Sequence, residues 1–156
     1  MENKKNSSYR TFLLTMIVSF ILMYGIMFLN VDQADHIYLS MTRFYMTLMM
    51  VAAMAILMLS TMRMMYKNQK LNLTITCMSI AVFTLSLIGV RTQTFVGDVQ
   101  YMKGMIPHHS IALMTSKNAH IKDPEVRKLA DGIIATQENE IAEMKRIMAR
   151  MKADKQ

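Results

Sequence analysis

Three runs of the chain carry no charge at all: Thr11 to Leu29, Phe44 to Met62 and Leu71 to Val90, each 19 or 20 residues long. At about 1.5 Å of rise per residue, each helix is long enough to cross a hydrocarbon core of about 30 Å. The pattern therefore predicts three transmembrane helices, over about 11–29, 44–62 and 71–90, within a membrane domain of residues 1–91. A cleaved signal peptide fits the first run poorly. The run exceeds the length of an h-region, and no small-x-small cleavage site follows it.

After Arg91 the texture changes to helical periodicity. Asp98, Met102, Met105, His109 and Ala112 recur in a four-three-four-three rhythm, which is one face of a helix. The sequence Lys122-Asp-Pro-Glu-Val126 is a helix start: Asp123 caps, Pro124 takes the first helical position and Glu125 meets the positive end of the dipole. The second helix is predicted from about Pro124 to Met151, with Ala130, Ile133, Ile134, Gln137, Ile141, Met144, Met148 and Met151 on its apolar face. A short turn near residue 121 makes the pair an antiparallel hairpin, domain 92–156, with Met105 level with Gln137. The expected fold class is all-α: three transmembrane helices followed by an extracytoplasmic helical hairpin.

Charge supplies the orientation. The net charge is +7, yet residues 1–91 hold 8 Lys/Arg against 3 Asp/Glu, whereas residues 92–156 hold 10 against 8. The excess flanks apolar runs, which suits a membrane surface rather than nucleic acid, and no basic patch interleaved with aromatics is present. Lys4, Lys5 and Arg10 precede the first run, and Arg63, Lys67 and Lys70 separate the second from the third. Between the first and second runs stands only Arg43, after Asp32 and Asp35. The N-terminus is therefore expected in the cytoplasm and everything after Arg91, including Gln156, outside.

Composition brings in the chemistry. Twenty of 156 residues are methionine and one, Cys77, is cysteine. An intrachain disulfide and a Cys-based zinc site are excluded, and Cys77 reads as a small buried hydrophobe. Met46, Met50, Met54, Met58 and Met62 form a stripe in the second span. It is explained by apolar packing, with a ladder of soft metal sites as the alternative. The stretch Tyr101-Met-Lys-Gly-Met-Ile-Pro-His-His109 sets two imidazoles behind Pro107 and among thioethers. Proline in a helix interior frees the carbonyl one turn back and bends the helix, offering a way to turn both histidines inward. Thioether and imidazole together suit copper, Cu(I) above all. The candidate metal ligands are His108, His109, Met102, Met105 and Met144, with Met114, Met148, Gln137, Asp98 and His120 in second rank. Asp32, Asp35 and His36 read as a polar loop cluster, with metal binding as the lesser alternative. No nucleophile–base pair, phosphate loop or nucleotide motif is evident, and no catalytic residue is assigned.

The stretches Gly97–Met114 and Asp123–Met148 resemble the family of domain of unknown function 305, a ferritin-like helical group linked to copper. The shared residues are Asp98, Met105, Ile106, Pro107, His108, His109, Ala112, Met114, Ile133, Ile134, Gln137, Glu140, Ile141 and Met144. The first 91 residues look like the membrane-anchored branch of that family. The resemblance implies copper binding outside the cytoplasm and no established catalysis. One hairpin stands here where longer members carry two, which leaves half of a ferritin-like four-helix bundle. The expected function is Cu(I) sequestration or delivery at the outer face of a bacterial plasma or inner membrane. The expected partners are the copper ion, the bilayer, a second copy in a homodimer, and a copper transporter or chaperone. The alternatives are a ferritin-like metal oxidase and a non-metal membrane adaptor.

Overall fold

A computed structural model describes residues 2–154, with side chains from Ser8 onward. The expectations for Lys4, Lys5 and Gln156 fall outside those described residues and side chains. Five α-helices and no strand make up the described residues: α1 (Glu2–Ile26), α2 (Met41–Thr61), α3 (Gln69–Thr92), α4 (Asp98–Asn118) and α5 (Pro124–Ala153), with one 3-10 turn at Ala34–His36. Within them, Ser8–Ile26, Met41–Thr61 and Gln69–Thr92 are long and apolar enough to cross a membrane. The fold class is all-α.

The chain divides into two compact units. One takes in the chain up to Ile26 together with Thr42–Phe95; the other takes in Met27–Met41 together with Val96 onward. The first unit packs α1, α2 and α3 around Phe12, Met16, Ala55, Leu59 and Tyr66. Ala55 is buried, and Tyr66 sets its ring edge-on to Phe12 at 5.5 Å between centroids. A polar knot closes one end. The Tyr9 hydroxyl accepts from the Asn68 N–H at 3.1 Å and donates to Asn72 Oδ1 at 2.8 Å, while Asn72 Nδ2 donates to the Tyr66 carbonyl. Asn68 also caps α3 through Leu71 N–H. At the other end, the Tyr45 hydroxyl donates to the Thr94 carbonyl, and a Cβ on Gly89 would lie 3.1 Å from the Tyr45 ring. A larger residue there would require the Tyr45 ring to shift by a few tenths of an ångström. The methionine stripe of α2 is split by this packing. Met54 and Met58 lie against the core, while Met46, Met50 and Met62 are exposed, and Cys77, expected to be buried, is exposed on α3.

The second unit packs α4 on α5 around Ile106, Leu113 and Ile141, with Tyr38, Ile134, Met144 and Met148 against them. Asp123 caps α5 as its sequence predicts, its Oδ1 accepting from the Glu125 and Val126 N–H groups, with Pro124 in the first turn. The helix α4 runs unbroken through Pro107, whose ring is fully buried.

Residues 27–41, which link α1 to α2, belong to this unit. The Asp32 N–H donates to Ser110 Oγ at 2.7 Å, and the Met41 N–H donates to Gln100 Oε1 at 3.2 Å. Lys117 lies between Asp32 and Glu138, at 3.1 and 3.0 Å, and Lys145 holds Asp35 at 2.6 Å.

Candidate metal centre

Adjacent residues on a helix point about 100° apart, and that separation governs the two histidines. His109 turns toward α5, its side chain only 13% exposed, and brings Nδ1 to 3.0 Å from Glu140 Oε2. His108 stays exposed, its ring 6.0 Å from that of His109 and inclined at 61°. Pro107 does not bend α4 enough to turn both rings inward. Its ring fills core space beside Ile106 instead.

The His109 ring opens on a groove of about 410 Å³ lined by Tyr101, Met105, His109, Asn139, Glu140, Glu143 and Met144. Three of the expected ligands, Met105, His109 and Met144, thus share one groove. Met102 is buried, Met148 packs against the Ile106 cluster and Met114 is half-buried. Gln137 lines a separate surface groove with Leu129 and Ile133. Asp98, in the first turn of α4, and His120, in the link to α5, are exposed. Glu140 and Tyr101 join the groove without having been candidate ligands. Glu140 was legible to the extent that it sits one turn before Met144 on the same face.

Met105 shares the groove with Glu140, less than one helical turn beyond Gln137, and with Met144.

His109 Nδ1 is buried and has Glu140 Oε2 as its polar neighbour at 3.0 Å. Burial pushes the His109 imidazole below its ordinary pKa, and the proximity of His108 adds to the fall, while Glu140 opposes it. At neutral pH the ring is uncharged and has a lone pair to offer. The groove thus combines an imidazole, two thioethers and two carboxylates. Among the described residues, no three of His, Cys, Asp and Glu gather into a metal-binding group. A site in this groove would depend on methionine sulfur.

The polar cluster at the 27–41 loop has its own geometry. His36 is buried, with Nδ1 at 2.8 Å from Ser110 Oγ and Nε2 at 3.7 Å from Asp35 Oδ1. Burial first, then Lys145 and Lys117, push its pKa down, against Asp35 and Asp32. The neutral tautomer with its proton on Nε2 satisfies the set: Ser110 Oγ accepts from Asp32 N–H and donates to Nδ1. Serine, histidine and aspartate meet here, as in a hydrolase triad. Ser110 is nevertheless fully buried and already hydrogen-bonded, so no carbonyl substrate reaches it.

These features define an all-α protein with three apolar helices and a two-helix unit that carries a His/Met groove. The chain belongs to the family described as domain of unknown function (DUF305), matched over residues 98–156. It is 39% identical over 139 residues to an uncharacterised protein of Acanthamoeba polyphaga mimivirus, covering 87% of this chain and 90% of that one. No solved structure matches the chain.

Proposed function

We propose that the chain is a membrane-anchored copper-binding protein that holds Cu(I) at the outer face of a membrane, for sequestration or delivery. One observation carries this reading: the His109 imidazole, its Nδ1 set 3.0 Å from Glu140 Oε2, lines a groove together with Met105 and Met144. Two thioethers and an imidazole favour Cu(I), whereas zinc selects nitrogen, thiolate and carboxylate. In this reading α4 and α5 form an antiparallel hairpin, and His109, Met105 and Met144 bind the ion, with Glu140 beside them.

A metal oxidase would need several carboxylates and histidines converging on the metal. Purified full-length protein in mild detergent is expected to retain Cu(I) through size exclusion and to consume no oxygen as Cu(I) is added. Copper-dependent oxygen uptake would move the protein into the oxidase class, and absence of bound copper would leave the adaptor reading.

The same reading makes α1, α2 and α3 membrane spans, in a bacterial plasma or inner membrane. The Tyr9–Asn68–Asn72 knot ties the start of α1 to the α2–α3 link, as expected for segments on one side. The 27–41 loop belongs with the C-terminal unit, as expected for the other side. The Lys/Arg bias makes the first side cytoplasmic. Accessibility tags in 27–41 and after Ala153 should therefore both report from outside the cell, and a tag in 63–67 from the cytoplasm. Labelling that puts 27–41 and the C-terminus on opposite sides would break the account.

A further inference from the structure

The copper reading makes no use of residues 27–41, yet this loop makes a dense set of polar contacts with α4 and α5. Two of them fall directly beside groove residues. Ser110, which follows His109, is fully buried and held by the Asp32 N–H and by His36 Nδ1. Lys145, which follows Met144, is held by Asp35. The imidazole arm of the groove lies on α4 and one thioether arm on α5. The two helices are joined by packing centred on Ile106, Leu113 and Ile141, by a few side-chain pairs such as Lys117–Glu138, and by the link 119–123. Coordination requires donor atoms on separate elements to be held within about 0.5 Å of their working positions. So small a core leaves such placement to additional ties.

We propose that the 27–41 loop is a clamp that positions the copper groove, His36 acting on His109 through Ser110, and Asp35 acting on Met144 through Lys145. The proposal rests on the copper reading of that groove. The two ties differ in weight. The Asp35–Lys145 pair is largely exposed and therefore weak by itself. The His36–Ser110 bond is buried, and removing one side strands the other. His36 and Asp35 are positioning residues; neither lines the groove.

The experiment uses the full chain in detergent and compares wild type with His36→Ala, His36→Asn and Asp35→Asn. Cu(I) affinity should fall roughly 10-fold or more in His36→Ala, the size of effect seen when groups behind a ligand are removed. His36→Asn keeps a polar atom at the Nδ1 position and should recover most of the affinity. Asp35→Asn should change it little. The sulfur and nitrogen donors seen by X-ray absorption should be the same in all four proteins. A second readout needs no metal: hydrogen exchange of 105–111 and 141–147 should quicken in His36→Ala.

The protection of these amides, taken relative to their intrinsic exchange at each pH, should also weaken in the wild type as pH falls through about 6.5, the ordinary histidine value. Around the His36 ring stand Asp32 and Asp35 from its own segment, Ser110 and Lys117 from α4, and Lys145 from α5. With its folded pKa depressed, the neutral ring contributes fully above 6.5 and loses that contribution below it, as the unfolded chain takes up protons. His36→Asn should flatten this dependence. Wild-type affinity in His36→Ala, or unchanged exchange, would overturn the clamp and leave the copper reading standing. Failure of the wild type to bind Cu(I) would overturn the copper reading and, with it, the clamp's role in positioning copper.

Discussion

Replacing His109 by alanine and both Met105 and Met144 by leucine will remove high-affinity Cu(I) binding while leaving the helical content of the protein intact. Leucine for methionine conserves volume and apolarity, so packing around the groove changes little. What disappears is the sulfur lone pair. His109→Ala removes an imidazole whose one polar side-chain neighbour, Glu140, is half exposed and can turn to solvent. Each tenfold change in affinity corresponds to about 1.4 kcal/mol, and loss of three donors is expected to exceed roughly 100-fold. Competition against a Cu(I) chelator measures it. The exposed His108 provides the internal control, since His108→Ala should cost much less. An equal loss from His108→Ala would place the site on the outer side of α4.

Ile106→Ala is expected to destabilise the second unit by about 2–5 kcal/mol, the range for truncating a large buried aliphatic side chain. Ile106 has no exposed surface and meets Leu113 and Ile141 at the centre of the α4–α5 contact. Relaxation into the cavity is restricted, because Pro107 and Ser110 are likewise fully buried and Ser110 is bonded to the 27–41 loop. A domain of ordinary stability has about 5–15 kcal/mol in all, so the loss is a large fraction. Leu129→Ala on the exposed side of α5 should stay within about 0.5 kcal/mol. Denaturant unfolding followed by hydrogen exchange within 98–153 separates the two. Equal effects would mean that the core lies elsewhere.

The apolar runs could be read as helices because length and absence of charge act locally. The start of α5 was legible for the same reason: Asp123, Pro124 and Glu125 are neighbours, and the cap forms between them. Met105, His109 and Met144 were identifiable by residue type and helical phase. The split between His108 and His109 was less so, since it depends on how far Pro107 bends α4. The role of the 27–41 loop was not legible. Its partners lie 74 and 78 residues away at Ser110, 85 at Lys117 and 110 at Lys145. Opposite charges in a sequence do not say which of many pairs will meet. The α2 methionines show the converse limit. An even stripe divides into packed Met54 and Met58 and exposed Met46, Met50 and Met62, because the neighbouring helices cover only part of the face.

The central claim, that a thioether–imidazole groove selects Cu(I), is tested most directly by competing Cu(I) against Zn²⁺ for the purified full-length protein under anaerobic conditions. The account predicts that Cu(I) binds far more tightly and that excess zinc does not displace it. Zinc binding equal to or tighter than Cu(I) binding would contradict it.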